Sequence, residues 1–314
     1  PKATTQKAAL KEQVIHFINR PLPRNVPLKT ARSLLGLDGD GSTVPIIRNP
    51  SLPEDAEAVF YFPGCGSERL FSQVGLATQA MLYHAGVQTV LPPGYLCCGY
   101  PQAAHGDASK ANDMVTENRV LFHRMANTLN YLDIKTVVVS CGTCYDALAE
   151  YRFEDIFSGC RIIDIHEFLL EKNIKLDGVV GQQYLYHNPC HTPIKSMDGA
   201  KLASELIGQN VPLSDRCCGE SGMFAVKRPD IATQVKFRKQ EEIEKNLAAL
   251  PQGEPVKMLT SCPACLQGLS RYAEDNNLPA DYIVIEMAKR ILGENWLNEF
   301  VEIAKNGGVE KVLL

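Results

Sequence analysis

The stretch TVVVSCGTCYDAL, residues 136–148, carries an apolar run directly into a Cys-x-x-Cys pair. The β-branched run predicts a strand, and the residues after the pair predict the start of a helix. Cys141 and Cys144 therefore stand at a strand-to-helix turn. Taken alone, such a pair is typical of a thioredoxin-like redox motif. That hypothesis has to be weighed against the other cysteines of the chain, which has eleven in all.

The pattern around this pair occurs twice. A strand-like run ends at one cysteine, a helical stretch leads to an adjacent pair followed by glycine, and a second helical stretch leads to a strand and a Cys-x-x-Cys. The first copy contains Cys65, Cys97, Cys98, Cys141 and Cys144, and the second contains Cys190, Cys217, Cys218, Cys262 and Cys265. The three groups are separated by 31 and 42 residues in the first copy and by 26 and 43 in the second. This shared order indicates two tandem copies.

Short apolar strands that alternate with helices predict an α/β fold. We expect two tandem pseudo-symmetric βα repeats with mostly parallel sheets. The first repeat is placed at residues 57–180 and the second, with a C-terminal helix, at 181–314. Residues 1–56 combine one amphipathic helical stretch with Pro-rich extended segments, which predicts an N-terminal arm. Because ligands collect at the carboxyl ends of parallel strands, the five cysteines of each repeat are expected to converge on one rim.

Composition excludes several classes of function. The chain has 314 residues and a formal net charge of -4 without a basic cluster, so no nucleic-acid partner is expected. No stretch approaches the roughly 18 apolar residues of a membrane span, and no signal-peptide pattern is present. The chain begins at Pro1, which indicates a processed chain or a piece of a longer polypeptide. We expect a reducing, cytoplasmic location, with peripheral contact at the inner membrane face as an alternative.

Three kinds of chemistry are open to the ten repeated cysteines. Disulfides are disfavoured because an adjacent pair such as Cys97 and Cys98 forms only a strained bridge. Zinc takes four thiolates, so each copy would leave one thiol over. Iron–sulfur clusters fit better, since thiolates are their natural ligands and several iron atoms offer several ligation points. Cys160 has no counterpart in the second copy and is expected to be a buried structural thiol.

The repeated Cys…Cys-Cys-Gly…Cys-x-x-Cys pattern resembles the cysteine-rich CCG domain of iron–sulfur oxidoreductases over roughly residues 57–290. That family includes the cysteine-rich subunit of heterodisulfide reductase, the iron–sulfur subunit of glycolate oxidase and lactate-utilisation proteins. The Pro-rich arm and the stretch GGVEKVLL, residues 307–314, resemble the C-terminal part of bacterial flavin- and iron–sulfur-containing 2-hydroxy acid dehydrogenases. Many relatives carry a ferredoxin-like segment of closely spaced cysteines, and this sequence contains none.

The resemblance implies one [4Fe–4S] cluster in each repeat, bound through all five cysteines, and leaves cubane or non-cubane geometry open. One cluster would be held by Cys65, Cys97, Cys98, Cys141 and Cys144. The other would be held by Cys190, Cys217, Cys218, Cys262 and Cys265. The shorter interval between Cys190 and Cys217 indicates that the second site differs in shape from the first.

Two residues near the second set are candidate catalytic groups. His191 follows Cys190 in NPCHT, residues 188–192, and is a candidate either for a hydrogen bond to a cluster sulfide or for proton donation to a bound substrate. The alternative is a strand-end histidine hydrogen-bonded to the backbone, and the same interpretations apply to His187, which precedes Cys190. Glu220 lies in CCGESG, residues 217–222, and is the acid expected beside a cluster.

The sequence contains no dinucleotide-binding glycine motif and no Walker loop, so flavin and nicotinamide are expected on another polypeptide. Our first hypothesis is an electron-transfer module that takes electrons from a flavin dehydrogenase of a 2-hydroxy acid and passes them to a quinone or another acceptor. The second is a heterodisulfide- or thiol-reducing catalyst in which substrate sulfur binds a cluster iron. A zinc-bound scaffold without redox chemistry is the third.

Overall fold

The computed structural model describes residues 29–39, 41–220 and 228–314. The amphipathic helix predicted for residues 5–20 lies outside this part of the chain. The described N-terminal segment contains a short helix, α1 (Ala31–Leu34), and a strand, β1 (Thr43–Ile47). The Thr30 side chain accepts a hydrogen bond from the Ser33 amide and so caps α1.

The first repeat alternates strands with helices. Its strands are β2 (Ala58–Phe62), β3 (Gln88–Val90), β4 (Ile134–Val139) and β5 (Arg161–Asp164). Its helices are α2 (Ser72–His84), α3 (Tyr100–Ala104), α4 (Ala108–Thr128), α5 (Gly142–Ala149) and α6 (Ile165–Glu171). A π-helical turn, Gly66–Leu70, lies between β2 and α2, and a 3₁₀ turn, Phe153–Asp155, lies between α5 and β5.

The second repeat follows the same order. Its strands are β6 (Gln183–His187), β7 (Val256–Thr260) and β8 (Ala280–Tyr282). Its helices are α7 (Gly199–Ile207), α8 (Pro229–Ala249), α9 (Pro263–Ser270), α10 (Ala273–Asn276) and α11 (Ile283–Leu292). The chain continues through α12 (Trp296–Ile303), a π-helical turn (Ala304–Gly308) and β9 (Val309–Leu313). None of the helices in the described part of the chain has both the length and the apolar composition that crossing a bilayer requires.

The strands form two sheets, with the orders β5-β4-β2-β3-β1-β9 and β6-β7-β8. Strands β2 to β5 pair with one another in parallel, as do β6 to β8. Strands β2, β4 and β5 correspond to β6, β7 and β8, and the counterpart of β3 is a single parallel bridge between Tyr186 and Leu213. The predicted α/β class with mostly parallel sheets is confirmed.

Two further strands extend the first sheet beyond the repeat. Strand β1 pairs antiparallel with β3, and β9 pairs antiparallel with β1, with Thr43 opposite Leu313. The last strand of the chain therefore completes the sheet of the first repeat, although it follows the second repeat in sequence.

The two repeats share one apolar core. Strand β2 is buried on both faces, as expected for a parallel strand covered by helices. On one face Phe60 packs edge-on against Phe122, with ring centroids 5.1 Å apart. On the other face Tyr61 belongs to a core that also contains Tyr186 and Tyr282 of the second repeat. The carboxyl ends of both sheets are thereby held close to the contact between the repeats.

Candidate iron–sulfur sites

The cysteines of the first repeat follow the carboxyl ends of its strands. Cys65 lies three residues after β2, and Cys97 and Cys98 lie in the loop that follows β3. Cys141 lies two residues after β4 and immediately precedes α5, whose first turn contains Cys144. Because these strands are parallel, their ends share one rim, and the thiols meet there.

Thiols of the first set interact with one another. Hydrogen bonding with the Cys65 thiol lowers the pKa of Cys97 to about 3, and the same contact raises the pKa of Cys65. Contact with Cys144 lowers the pKa of Cys141 to about 6. Cys144 also contacts Cys98, which joins the two pairs. The arrangement favours the thiolate form of some members, and the thiolate is the form that binds metal.

The second set is built in the same way on β6 and β7. The sulfur atoms of Cys218 and Cys265 lie 3.5 Å apart. Contact with Cys217 lowers the pKa of Cys218, and contact with Cys218 raises the pKa of Cys265. Cys262 also contacts Cys265, and Cys190 lies close enough to Cys217 for their charges to interact.

The two sets differ in their exposure to solvent. No member of the first set is exposed, whereas Cys190 and Cys217 of the second set are exposed. The other three members of the second set are buried. The second site is therefore open on the side of Cys190 and Cys217. Outside both sets, Cys160 is half-buried rather than fully buried as expected, and burial raises the pKa of its thiol to about 11.

The glycine of each Cys-Cys-Gly is required by backbone conformation. Gly99 and Gly219 have φ values of 89° and 77°, in the left-handed region that side chains disfavour. A Cβ atom on either residue would also lie 3.2 Å from a helix carbonyl oxygen, that of Ala111 or Ala232. These glycines turn the chain directly after the adjacent cysteines and let it pass close to the following long helix.

Buried polar side chains hold the loop of the adjacent pair in the first repeat. The Asn118 amide on α4 donates to the carbonyl oxygen of Cys97 at 2.8 Å, and the Tyr151 hydroxyl donates to that of Cys98 at 3.1 Å. Both side chains satisfy carbonyl groups that would otherwise be buried without partners. Neither residue stands out in the sequence as part of a motif.

In the second repeat a buried lysine holds the loop that leads to the adjacent cysteine pair. Lys239 on α8 has no exposed surface, and its ammonium group donates to the carbonyl oxygens of Ser214 and Asp215 at 2.7 and 2.6 Å. It also donates to the Ser214 hydroxyl at 2.9 Å. Burial lowers the pKa of Lys239 to about 8. The loop that precedes Cys217 is thereby fixed to the long helix.

Each Cys-x-x-Cys packs against the single-cysteine loop of the other repeat. A Cβ atom on Gly142 would lie 1.7 Å from the carbonyl oxygen of His191, so only glycine fits there. In the opposite direction, a Cβ atom on Gly66 would lie 3.4 Å from Cβ of Pro263. The two candidate sites are therefore neighbours across the contact between the repeats.

Tyr282 joins the two sites at the centre of this contact. Its hydroxyl oxygen lies 2.6 Å from the carbonyl oxygen of Ser140 and 2.8 Å from that of Ser261. Ser140 precedes Cys141, and Ser261 precedes Cys262. The single hydroxyl hydrogen of Tyr282 is therefore shared between two carbonyl oxygens, each belonging to the residue directly before a Cys-x-x-Cys pair.

His191 lies in an exposed side-chain network that also connects the repeats. Its Nδ1 atom lies 2.9 Å from a carboxylate oxygen of Asp146, and its Nε2 atom lies 3.2 Å from the Tyr100 hydroxyl. Because the carboxylate only accepts, Nδ1 of His191 carries a hydrogen and donates it to Asp146. Partial burial raises the pKa of Asp146, but hydrogen bonds from His191 and Lys195 outweigh this effect, and the pKa is lowered overall. The alternative of a backbone-bonded His191 is wrong.

Glu220 lies beside the second set in a buried position. Burial raises the pKa of its carboxyl group to about 7, with the positive charge of Arg271 opposing and the charge of Cys218 adding to the increase. A guanidinium nitrogen of Arg271 lies 2.8 Å from the Glu220 carboxylate. Glu220 therefore lies close to Cys218 and is paired with Arg271.

The N-terminal segment contributes a residue that the sequence did not reveal. Buried Arg32 in α1 donates through its guanidinium to the carbonyl oxygens of Pro92 and Gly94 at 2.9 and 3.3 Å. Its backbone amide donates to the Glu68 carboxylate at 3.0 Å, and the two side chains form an ion pair. Arg32 therefore connects the turn after Cys65 to the loop before Cys97.

The donor set fits an iron–sulfur group. All eleven cysteines are free thiols, and ten of them form two sets of five, more sulfur donors than a single zinc ion takes. The Gly219 amide points at the Cys217 sulfur at 3.3 Å, the kind of N–H contact that tunes thiolates in such sites.

Comparison with known families agrees with this geometry. A family model described as a cysteine-rich domain matches residues 59–149 and, a second time, residues 184–270. All ten repeated cysteines fall inside these two ranges, which together cover more than half of the chain. A second model, described as a domain of unknown function, matches residues 270–314.

Several curated proteins are similar to the chain. It is 29% identical to one subunit of the fumarate reductase (CoM/CoB) of Methanothermobacter marburgensis over 65% of this chain and 40% of that protein. It is 22% identical to a probable glycolate oxidase iron-sulfur subunit of Bacillus subtilis over 77% of this chain and 56% of that protein. It is 28% identical to lactate utilization protein A of an Exiguobacterium species over 59% of this chain and 80% of that protein.

The chain covers only part of the length of two of these relatives. The chain spans 40% of the fumarate reductase subunit and 56% of the glycolate oxidase subunit, so it corresponds to a part of each. Their names describe subunits of oxidoreductases, one of them an iron–sulfur subunit. With both repeats matched, the chain belongs to the cysteine-rich CCG domain family of iron–sulfur oxidoreductases.

Proposed function

We propose that this chain is the iron–sulfur electron-transfer module of a larger oxidoreductase. It receives electrons from a flavin-linked dehydrogenase of a 2-hydroxy acid of the lactate or glycolate type and passes them to a quinone or another acceptor. Each repeat holds one [4Fe–4S] cluster. The ligands are Cys65, Cys97, Cys98, Cys141 and Cys144 in the first repeat and Cys190, Cys217, Cys218, Cys262 and Cys265 in the second.

The contact between the two five-cysteine sites carries this proposal. Gly142 packs on the carbonyl group of His191, and Tyr282 links Ser140 to Ser261, so each site is built partly against the other. Bound clusters would supply one-electron chemistry. The chain's own residues would hold the two sites at a fixed separation and shield the first of them from solvent.

Anaerobic purification followed by iron and acid-labile sulfide analysis tests the cofactor. We expect about eight iron atoms and about eight sulfides per chain for two [4Fe–4S] clusters. Fewer than about two iron atoms together with stoichiometric zinc would contradict the proposal and favour the scaffold hypothesis.

The electron donor and acceptor are tested with the iron-loaded protein. We expect lactate or glycolate to reduce it only when a flavin dehydrogenase is added, and a quinone analogue to reoxidise it. Direct reduction by the hydroxy acid alone would place a second cofactor on this chain. The free thiols support a reducing location, and we place the protein in the cytoplasm or at the inner face of the membrane.

A second candidate function is the reduction of a disulfide or heterodisulfide. The exposure of Cys190 and Cys217 favours it, because this edge of the second site is open to a substrate sulfur atom. His191 stands next to Cys190 and is held by Tyr100 and Asp146, in a position to deliver a proton. Glu220 is a second candidate proton donor beside Cys218.

Competing substrates separate the two functions. The reduced protein is mixed anaerobically with a disulfide, with a quinone analogue, or with both, and thiol and quinol products are measured. Turnover of the quinone alone supports the transfer module, whereas turnover of the disulfide alone would contradict it and support the second candidate.

A further inference from the structure

His187 is a buried histidine at the carboxyl end of β6. It is 1% exposed, and neither ring nitrogen hydrogen-bonds to a nitrogen or oxygen atom in the described part of the chain. Its ligating nitrogen and the sulfur atoms of Cys218 and Cys265 all lie within 4.8 Å of one another. The imidazole therefore points into the second cysteine set.

A buried imidazole without a nitrogen or oxygen partner is costly, and sulfur is the partner that this ring has, through a contact with the Cys218 thiol. Leaving one buried donor or acceptor unsatisfied costs about 1–3 kcal/mol, so native structures almost always provide a partner. The groups that face the ring here are the sulfur atoms of the candidate site. A negatively charged cluster with its thiolates is an acceptor for the imidazole N–H, and binding of the cluster would remove this cost.

The first repeat has no imidazole at the equivalent place. His187 pairs with Thr260 in the register of β6 and β7, and Phe62 pairs with Val139 in the register of β2 and β4. Phe62 also lies three residues before Cys65, as His187 lies three residues before Cys190. Its ring packs edge-on against Phe122 with centroids 6.2 Å apart. The sequence difference thus makes one site polar where the other is apolar.

We propose that His187 donates its ring N–H to sulfur of the cluster in the second site and raises the reduction potential of that cluster above that of the first. The proposal rests on the iron–sulfur function proposed above. The five thiols of the second repeat already match the set in the first, so His187 acts as a hydrogen-bond donor rather than as an additional iron ligand. Hydrogen bonds to cluster sulfur stabilise the reduced, more negative state, which makes the second cluster the electron acceptor of the pair.

Nitrogen-sensitive pulsed EPR on the reduced wild-type protein tests the contact without any substitution. Protein grown with ¹⁵N-histidine is compared with unlabelled protein, and the second cluster is recognised by its loss in Cys217→Ser. We expect a weak nitrogen coupling on the second cluster and none from histidine on the first. A strong coupling typical of directly bound nitrogen would overturn the hydrogen-bond proposal, as would the absence of any coupling.

A redox titration of His187→Phe, which copies Phe62 of the first repeat, tests the effect on potential. We expect full iron content, an unchanged first cluster and a second cluster that is about tenfold harder to reduce, equivalent to about 59 mV for one electron. His123→Gln, an exposed histidine on α4, is the matched control and should leave both potentials unchanged. An unchanged second potential would overturn the proposal. Wild-type protein without iron would instead overturn the proposed function.

Discussion

Gly142 shows how one residue controls both candidate sites. The carbonyl oxygen of His191 occupies the space that any side chain on Gly142 would need, 1.7 Å from the position of a Cβ atom. The clash involves backbone atoms, so it cannot be relieved by a change of rotamer. Glycine in the first Cys-x-x-Cys is therefore a requirement of the contact between the repeats.

We expect Gly142→Ala to destabilise the protein by about 3 kcal/mol or more, because overpacking against backbone costs at least as much as it does against side chains. Denaturant unfolding and iron analysis measure the effect, and both sites should lose iron. Gly94→Ala is the control, since a Cβ atom on Gly94 meets nothing within 4 Å. Equal stability of the two variants would contradict the close contact.

His191 is expected to assist acceptors whose reduction consumes protons, and both quinones and disulfides belong to that class. His191→Gln should lower turnover by about 10²-fold or more, the usual contribution of a positioned acid or base, with iron content unchanged. Tyr100→Phe retains the imidazole and its bond to Asp146, so its effect should be smaller. If His191→Gln turned over as fast as the wild type, His191 would not be a proton donor in the reaction.

Lys239 predicts a pH dependence of stability. Burial lowers its pKa from 10.5 to about 8 in the folded protein. Below about pH 8 the folded state carries the full cost of a buried ammonium group, and above pH 10.5 neither state is charged, so this contribution to stability rises with pH between the two values. The difference corresponds to about 3 kcal/mol as an upper value at about 1.4 kcal/mol per pKa unit.

The measurement compares anaerobic urea unfolding of wild type and Lys239→Met from pH 7 to pH 11. The variant loses three hydrogen bonds and should be less stable throughout. The stability advantage of the wild type should grow as the pH rises from 8, because titrations common to both proteins cancel. A constant difference between the two proteins would show that Lys239 keeps an ordinary pKa.

Helix α1 determines the shape of the first site although it contains no cysteine. Arg32 binds the carbonyl groups of Pro92 and Gly94 and pairs with Glu68, all of them buried or partly buried. Burial lowers the pKa of Arg32 and raises that of Glu68, because it disfavours the charged form of each group. The opposite charge of the partner works against both shifts. The loop that carries Cys97 and Cys98 depends on this pair.

Arg32→Ala should destabilise the protein by about 3–5 kcal/mol, because it leaves the Glu68 carboxylate buried without its counter-charge. Iron should be lost from the first site before the second. Arg48→Ala is the matched control, since Arg48 forms a largely exposed ion pair with Glu310 that is worth about 1 kcal/mol or less. A comparable loss in both variants would contradict the role given to Arg32.

The sequence predicted the elements that carry cysteines better than the elements that support them. The strand-to-helix turn at Cys141 was predictable because β-branched residues, a turn glycine and a helix start all agree locally. Asn118, Lys239 and Arg32 were not, since each acts through a contact with a carbonyl group far away in the chain. A polar side chain in an amphipathic pattern looks the same whether it faces solvent or fixes a loop.

The whole molecule is a pair of repeats with a shared core between them and two sites, and the sites are expected to load separately. Cys217→Ser should lose or remodel the second cluster, lowering iron by about half, while the spectrum of the first cluster remains. EPR and iron analysis measure this outcome. Cys160→Ser is the control and should retain both clusters, because Cys160 lies outside both sets. Loss of both clusters in Cys217→Ser would contradict independent sites.

Tandem organisation was predictable because the cysteine order and spacing occur twice, and both family matches follow that order. The asymmetry between the repeats was harder to predict. The counterpart of β3 is reduced to one bridge at Leu213, and Tyr282 occupies the centre of the contact between the repeats. Such features depend on how two sheets pack against each other, and a linear pattern carries little information about that packing.

The pairing of β9 with β1 has a consequence for synthesis on the ribosome. Thr43 reaches its partner Leu313 only after nearly the whole described chain has been made. Until then β1 is an open edge, which is a hazard for pairing with other chains. The cysteine loops of the first repeat emerge much earlier, so thiols and an unprotected strand edge coexist on the nascent chain. Removal of Val309–Leu313 should therefore increase aggregation during expression more than it lowers the stability of protein that has already folded.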